Sequence, residues 1–199
     1  MLRLTAWSKE RGIRLIVDES FVDFSDDFEH NSMISNDILE ENPHLVVMKS
    51  ISKSYGVPGL RLGVMVSADT QLINEVKRDV AIWNINSFAE FYLQIFGKYE
   101  ADYRQACYRF IKERNRFEKL LREIPYLRVI PSQANYFCME VLGGITSEEL
   151  TKRLLADYDI MIKDCNSKNF LKGKNYIRVS VRDTEDNNQL IAALKEIGQ

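Results

Sequence analysis

The chain has 199 residues, of which 45% are apolar and 28% charged, and this composition excludes a disordered or collagen-like protein. Its 27 basic and 29 acidic residues give a formal net charge of −2, without the excess positive charge typical of nucleic-acid binding. No apolar run approaches the ~18 residues of a membrane span. Three cysteines without metal-ligand spacing argue against a disulfide scaffold or a metal site. We therefore expect a cytoplasmic protein without nucleic-acid or membrane partners.

The first half of the sequence predicts alternating helices and strands. A helical segment over residues 2–11 ends at Gly12, which is a common residue at helix C-termini. A further helical pattern follows Asp69. Continuous apolar runs predict strands that are buried on both faces, as in parallel sheets, over residues 14–18, 44–50 and 62–67.

The second half predicts a different, α+β pattern. Apolar residues recur at three- and four-residue intervals over residues 99–124, which predicts one long amphipathic helix. Short strands and two helices follow, the first opened by a capping box from Thr146 to Glu149. We therefore divide this α/β chain into residues 1–97, a connecting helix over 98–124, and a small domain over 125–199.

A segment rich in hydroxyl and cationic side chains follows the second predicted strand. Ser50 and Ser52 offer hydroxyl donors, and Arg61 offers a planar guanidinium suited to phosphate. Lys53 adds an amine among them. In open α/β sheets, ligands bind at the carboxyl ends of strands, where this segment begins. Taken alone, the serines and the lysine would be read as a charged surface loop.

A carboxylate at a matching place strengthens the functional interpretation. Asp18 ends the first predicted strand, so we expect a buried acid beside the segment that carries Lys53. Pyridoxal 5′-phosphate requires an amine for its Schiff base, a carboxylate for its ring nitrogen and donors for its phosphate. The sequence supplies all three.

Four segments occur in an order that resembles a known family. They are Asp-Glu-Ser-Phe at 18–21, the lysine segment at 50–63, Pro-Ser-Gln-Ala-Asn-Tyr at 131–136 and Tyr-Ile-Arg at 176–178. The chain thereby resembles the C-terminal part of fold-type I aminotransferases of class I/II, especially the histidinol-phosphate aminotransferase and threonine-phosphate decarboxylase group. The resemblance covers about residues 12 to 199. It implies the later part of a large cofactor-binding domain, with a mostly parallel sheet and helices, followed by a small α+β domain.

The resemblance also implies roles for residues of the first region. Lys53 is implied as the Schiff-base lysine and catalytic base, and Asp18 as the partner of the pyridine nitrogen. Ser50, Ser52 and Arg61 are implied as the phosphate cradle.

Three residues of the last region and one of the first concern the substrate and the tuning of the cofactor. The resemblance implies Arg178, inside an otherwise apolar strand, as the clamp on the substrate carboxylate; the alternative is a strand arginine that faces solvent. Asn135 is a candidate for lining the same pocket, with a structural hydrogen-bonding residue as the equal alternative. Lys163 stands where the histidinol-phosphate group usually has Arg. The resemblance also places Phe21 at the cofactor, at the position where many aminotransferases of this group have a Tyr whose hydroxyl bonds it.

We therefore expect a PLP-dependent aminotransferase of amino-acid and keto-acid substrates, with a biosynthetic role and as a homodimer. One alternative is a decarboxylase of a phosphorylated or phosphonate amino acid, fused to a nucleotidyltransferase. The other is a catalytically incomplete dimerisation or interaction fragment, since the sequence offers no Gly-rich phosphate loop that opens a helix. With 199 residues, the chain is expected to be a piece of a longer enzyme.

Overall fold

The computed structural model describes residues 1–166 and 174–198. Contacts divide the chain into two compact units, Met1–Cys107 and Tyr108–Gln199. Within the described residues, no helix is both long and apolar enough to cross a membrane. The functional division into residues 1–97, 98–124 and 125–199 stays a prediction.

The first unit contains helices, short 3₁₀ turns and strands in alternation. The 3₁₀ turns are Val22–Phe24 and Pro58–Leu60. The strands are β1 (Leu15–Asp18), β2 (Leu45–Ser50) and β3 (Gly63–Val66). The helices are α1 (Leu2–Glu10), α2 (Asn36–Glu41), α3 (Ile51–Ser54), α4 (Thr70–Asp79) and α5 (Ser87–Phe96).

The strands of this unit are joined in the order β1-β2-β3. Strands β1 and β2 are parallel, with Asp18 opposite Met48, so their carboxyl ends meet at one edge of the sheet. Strand β3 runs antiparallel to β2, with Ser50 opposite Gly63. The link between β2 and β3 holds only two single helical turns, whereas a parallel crossover usually takes a full helix. The chain therefore turns back next to Ser50.

The prediction that these strands are buried on both faces is wrong for β1, and also for β3, in which Val64 is exposed. Val17 packs into a core with Leu45 and Val47, whereas Ile16, on the other face, is 61% exposed. Asp18 shares that open face because side chains two positions apart in a strand point the same way. The acid that we expected to be buried is thus accessible within the described residues.

The second unit packs helices on one antiparallel sheet. The long helix α6 (Glu100–Arg122) leads into it, close to the predicted 99–124. The strands lie in the order β4-β5-β7-β6, and every pair is antiparallel. The remaining elements are β4 (Leu127–Val129), β5 (Tyr136–Val141), α7 (Ser147–Tyr158), β6 (Lys163–Asp164), β7 (Tyr176–Ser180) and α8 (Thr184–Ile197).

The core and the first cap of this unit agree with the sequence pattern. Phe117, Phe137 and Ile177 are fully buried together. The Thr146 hydroxyl accepts a hydrogen bond from the Glu149 amide at 3.1 Å, as the capping box predicts.

One helix was not predicted as a separate element. Helix α5 carries exposed apolar residues, such as Phe88 and Phe91, and its periodicity therefore gives no clear polar face. The signal that the sequence does offer is Asn86, whose side-chain oxygen accepts from the Ala89 amide at 2.9 Å and caps the helix.

A carboxylate joins α6 to the start of α8. Glu113 accepts hydrogen bonds from Arg116 at 2.7 and 2.8 Å, from the Asn187 amide group at 2.8 Å and from the Thr184 hydroxyl at 2.9 Å. These bonds, the one from Arg116 above all, lower the pKa of Glu113 to about 2.

The lowered pKa of Glu113 predicts acid sensitivity of the second unit. A carboxyl with a depressed folded-state pKa stabilises the fold above its unfolded pKa of about 4.3. That stabilisation is lost as the pH falls from there through about 2. We expect Glu113→Gln to be less stable near neutral pH and to lose less stability on acidification, measured by urea unfolding across that pH window. Glu100→Gln, at an exposed position of the same helix, is the control, and equal pH slopes for the two variants would contradict the assignment.

Candidate active site

The carboxyl end of β1 presents a carboxylate in a defined orientation. Asp18 Oδ1 accepts two hydrogen bonds from Ser20, one from the amide at 2.9 Å and one from the hydroxyl at 2.5 Å. The hydroxyl bond, the amide bond and the positive charge of Lys53 hold the pKa of Asp18 below its ordinary value. A surface carboxylate is ionised at neutral pH in any case, and these interactions stabilise that ionised form further.

Ser20 also links the two parallel strands, and the sequence reasoning missed it. Its hydroxyl accepts a hydrogen bond from the amide of Ser50 at 3.0 Å, while the side chain is only 5% exposed. Residues at the ends of β1 and β2 are thus joined through one oxygen atom. A serine two residues after an aspartate is a known signal for such a local bond.

Lys53 lies on α3, a single helical turn, where we expected a loop. It is exposed, and its Nζ atom lies 4.2 Å from the ring centroid of Phe21. A cation over an aromatic face is held by the ring quadrupole. Phe21 thus contacts the amine through its ring, and it has no hydroxyl to donate.

A groove of about 410 Å³ brings most of the predicted cofactor residues together. Asp18, Ser50, Ser52 and Arg61 all line it. Lys53 and Phe21 are not among its lining residues, and they contact each other beside it. The sequence therefore predicted four residues of one groove from two separate segments.

Two of these groove residues are held in different ways. Ser52 is nearly buried, and its hydroxyl donates to the carbonyl of Leu62 at 3.4 Å. Arg61 is exposed and has a left-handed backbone with φ 54°, which is uncommon for a residue with a side chain. Its guanidinium donates to the carbonyl of Pro58 at 3.3 Å, and the residue lines the groove.

A buried ion pair supports the turn that carries Lys53. Lys49 Nζ lies 2.6 Å from Asp23 Oδ1, and the two side chains are only 11% and 8% exposed. The other oxygen of Asp23 accepts from the Ser54 hydroxyl at 2.6 Å. Burial also raises the pKa of the neighbouring Tyr55 to about 12. The Asp23 carboxylate thus connects the first 3₁₀ turn with both ends of the segment 49–54.

Removal of one partner of this ion pair is expected to destabilise the first unit. Lys49→Met leaves the buried carboxylate of Asp23 without its counter-charge, which typically costs about 3–5 kcal/mol. The double variant Lys49→Met/Asp23→Leu removes both charges and is expected to recover most of that loss. Urea unfolding of the three proteins gives the free energies, and equal stability of the single and double variants would contradict the assignment.

The second unit carries the residues expected to bind substrate. Arg178 on β7 is paired in register with Lys163 on β6, and both line a groove of about 650 Å³. Asn135 is not among the lining residues of that groove, and its carbonyl accepts from the Val181 amide at 2.9 Å. Its expected place in the pocket stays a prediction.

The expected environment of Arg178 is corrected by the structure. We placed it inside an apolar strand, but β7 alternates, with Ile177 and Val179 buried and Arg178 exposed on the other face. Its guanidinium lies 5.1 Å from the ring centroid of Tyr136. The charge is therefore accessible to a ligand and is not held by the core.

The chemistry of the first groove fits pyridoxal 5′-phosphate. An ionised carboxylate, an exposed amine beside an aromatic ring, two serine hydroxyls and a guanidinium meet at one edge of the sheet. Asp18 would hold the ring nitrogen, Lys53 would bond the aldehyde carbon, and Ser50, Ser52 and Arg61 would hold the phosphate. The described residues contain no group of three or more His, Cys, Asp or Glu that could hold a metal ion.

The fold and the donor set are those of a fold-type I PLP enzyme, and the family comparison agrees. The family model "Aminotransferase class I and II" matches residues 2–194. The chain belongs to this family, whose cofactor is pyridoxal 5′-phosphate. A histidinol-phosphate aminotransferase from Sinorhizobium meliloti, solved in complex with that cofactor, shares the fold at a TM-score of 0.73 and 20% identity, over 98% of this chain and 52% of its own.

Relatives with different names match the same region. A CMP-5′-(3-aminopropyl)phosphonate synthase of Streptomyces rubellomurinus is 34% identical over 93% of this chain and 29% of its own length. An L-serine phosphate decarboxylase of Sulfurospirillum multivorans is 32% identical over 92% and 47%. The histidinol-phosphate aminotransferase structure from Clostridium acetobutylicum has a TM-score of 0.85 and 26% identity, over 99% and 57%. The chain thus spans about half, or less, of the relatives that it matches.

Proposed function

We propose that the protein containing this chain is a PLP-dependent decarboxylase of a phosphorylated amino acid, and that this chain supplies the lysine-bearing part of its active site. The observation that carries the proposal is the groove shared by Asp18, Ser50, Ser52 and Arg61, beside the amine of Lys53. The decarboxylase branch is supported by the L-serine phosphate decarboxylase among the relatives. It replaces the transaminase that we expected first.

The residues of the first unit have different roles at the cofactor. When bound, pyridoxal 5′-phosphate supplies an electron sink for the pair left after a bond at the substrate α-carbon breaks. Asp18, whose ionised form Ser20 stabilises, would hold a proton on the ring nitrogen. The amine of Lys53 would carry the proton that the substrate α-carbon takes up in place of the lost carboxylate. Arg61 and the two serines anchor the phosphate and keep the ring in place.

The residues of the second unit provide cations for an anionic substrate. Lys163, Arg178 and Arg182 line one groove, and Arg182 is paired with Asp186. This leaves Lys163 and Arg178 as neighbouring cations on adjacent strands. A phosphorylated amino acid carries two anionic groups, a carboxylate and a phosphate, which two such cations can recognise. Arg178 is the better fork for either group, since a guanidinium binds oxyanions through two parallel bonds.

Transamination is the second candidate, and a specific similarity favours it. The aminotransferase structure from Clostridium acetobutylicum matches nearly all of this chain. In a transaminase, Arg178 would bind the substrate carboxylate, which is retained in the product. In a decarboxylase, Arg178 would bind the phosphate, and the carboxylate would be the group that is lost. The homodimer, the amino-acid substrate and the biosynthetic role stay predictions.

The first test measures the product. The full-length protein with added pyridoxal 5′-phosphate and an α-keto acid as amino acceptor is given O-phosphoserine or O-phosphothreonine, and the formation of carbon dioxide and of the keto acid of the donor is followed. We expect carbon dioxide from a phosphorylated α-amino acid and a visible absorption band that Lys53→Ala abolishes. Keto acid without carbon dioxide would overturn the decarboxylase in favour of the transaminase. An unchanged band in Lys53→Ala would overturn the lysine assignment.

A second test separates the two cations. Arg178→Lys retains the charge but loses the two-bond fork, so we expect a roughly tenfold or greater increase in KM for the phosphorylated substrate. Lys163→Arg, which retains a cation at the neighbouring position, is the matched control and is expected to change KM less. A KM for Arg178→Lys equal to that of the unaltered protein would contradict the role of Arg178.

A further inference from the structure

We propose that Ser20 is a positioning residue of the cofactor site, whose hydroxyl holds the Asp18 carboxylate in one orientation and joins it to the phosphate-binding end at Ser50. The inference rests on the cofactor site proposed above. It concerns a residue that lies between two cofactor-binding groups and is itself almost inaccessible.

The hydroxyl of Ser20 has both of its hydrogen-bonding functions engaged. Its single proton is donated to Asp18 Oδ1 at 2.5 Å, and its oxygen accepts from the Ser50 amide at 3.0 Å. A serine hydroxyl has only one proton to donate, so the bond from Ser50 fixes the direction in which that proton points. An alanine here would leave the Ser50 amide without this acceptor.

The two bonds from Ser20 converge on one oxygen of the carboxylate. Oδ1 of Asp18 accepts both the Ser20 amide and the Ser20 hydroxyl, whereas Oδ2 accepts no hydrogen bond from the residues that the structure describes. Rotation of the carboxyl group would break both bonds. Oδ2 is therefore left to accept a further hydrogen bond, and the orientation of the carboxylate is set in the cofactor-free chain.

Surface exposure makes this restraint necessary. Asp18 lies on the open face of β1, where burial does not restrict its side chain. The charged groups around it are Lys53 on α3, whose charge acts on Asp18, Arg61 along the groove, and Lys49, which is already paired with Asp23; Lys53 and Arg61 could attract a free carboxylate. The bonds from Ser20 hold Asp18 against the sheet edge instead.

The hydrogen bond from the Ser50 amide gives Ser20 a second structural role. Ser50 ends β2 and precedes the turn that carries Lys53, so the Ser20 hydroxyl relates the position of the ring-nitrogen partner to that of the phosphate donors. A displacement of either strand end would stretch one of the two bonds. A rigid cofactor that contacts both ends requires a constant distance between them.

The test compares Ser20→Ala with Ser20→Thr, which keeps the hydroxyl, by NMR titration of the Asp18 carboxyl in cofactor-free protein. We expect the pKa of Asp18 to rise toward its ordinary value in Ser20→Ala and to stay low in Ser20→Thr. If Ser20→Ala does not fold, Ser20→Cys retains the side-chain volume but has a weaker hydrogen-bond donor. Its Asp18 titration then measures the contribution of the same hydrogen bond. An Asp18 titration that is unchanged in the folded variant would overturn the proposal.

A second measurement separates this inference from the proposed function. In the full-length protein we expect Ser20→Ala to bind pyridoxal 5′-phosphate roughly tenfold more weakly, with the pH dependence of its visible band altered, and Ser20→Thr to restore both. Affinity and band equal to those of the unaltered protein would overturn the role of Ser20. Failure of the unaltered protein to bind the cofactor would overturn the cofactor site itself. Loss of decarboxylation alone, with these Ser20 effects intact, would overturn only the choice of reaction.

Discussion

The parallel pairing of β1 with β2 is the constraint on which the candidate site depends. It brings Asp18 and Ser50, which are 32 positions apart in the sequence, to the same edge of the sheet. The antiparallel return of β3 then brings Gly63 opposite Ser50, so the segment that carries Lys53 and Arg61 closes over that edge. Each proposed cofactor contact of the first unit is placed by one of these two pairings.

The first unit shows how far a sequence pattern can predict a site. Continuous apolar runs predicted the bounds of β1 and β2 to within one residue. The rule that ligands bind at the carboxyl ends of strands led to Asp18 and Ser50 as site residues. The buried state expected for Asp18 did not follow, because an apolar run does not tell which face of a strand is covered. Ser20 and the ion pair of Lys49 with Asp23 were missed, since their roles depend on pairings between segments that the sequence does not state.

The second unit shows the limit of the same reasoning. Its long helix and its capping box were predicted from periodicity and from one short motif, and both are confirmed. Arg178 was chosen for its place in a motif, and only the alternation of β7 reveals that it is exposed and lies next to Lys163. Which anionic group each cation binds depends on the substrate. The substrate cannot be identified from the residues of this chain. The choice between decarboxylation and transamination therefore came from relatives.

The buried contact between Lys49 and Asp23 also constrains how this protein can change over time. Either residue can be replaced alone only at the expense of an uncompensated charge in the interior, whereas a joint replacement by apolar residues removes the conflict. Positions 23 and 49 are therefore expected to vary together among descendants of this chain. Their covariation would arise from the ion pair that supports helix α3, which carries Lys53. It would be independent of the substrate that the enzyme comes to accept.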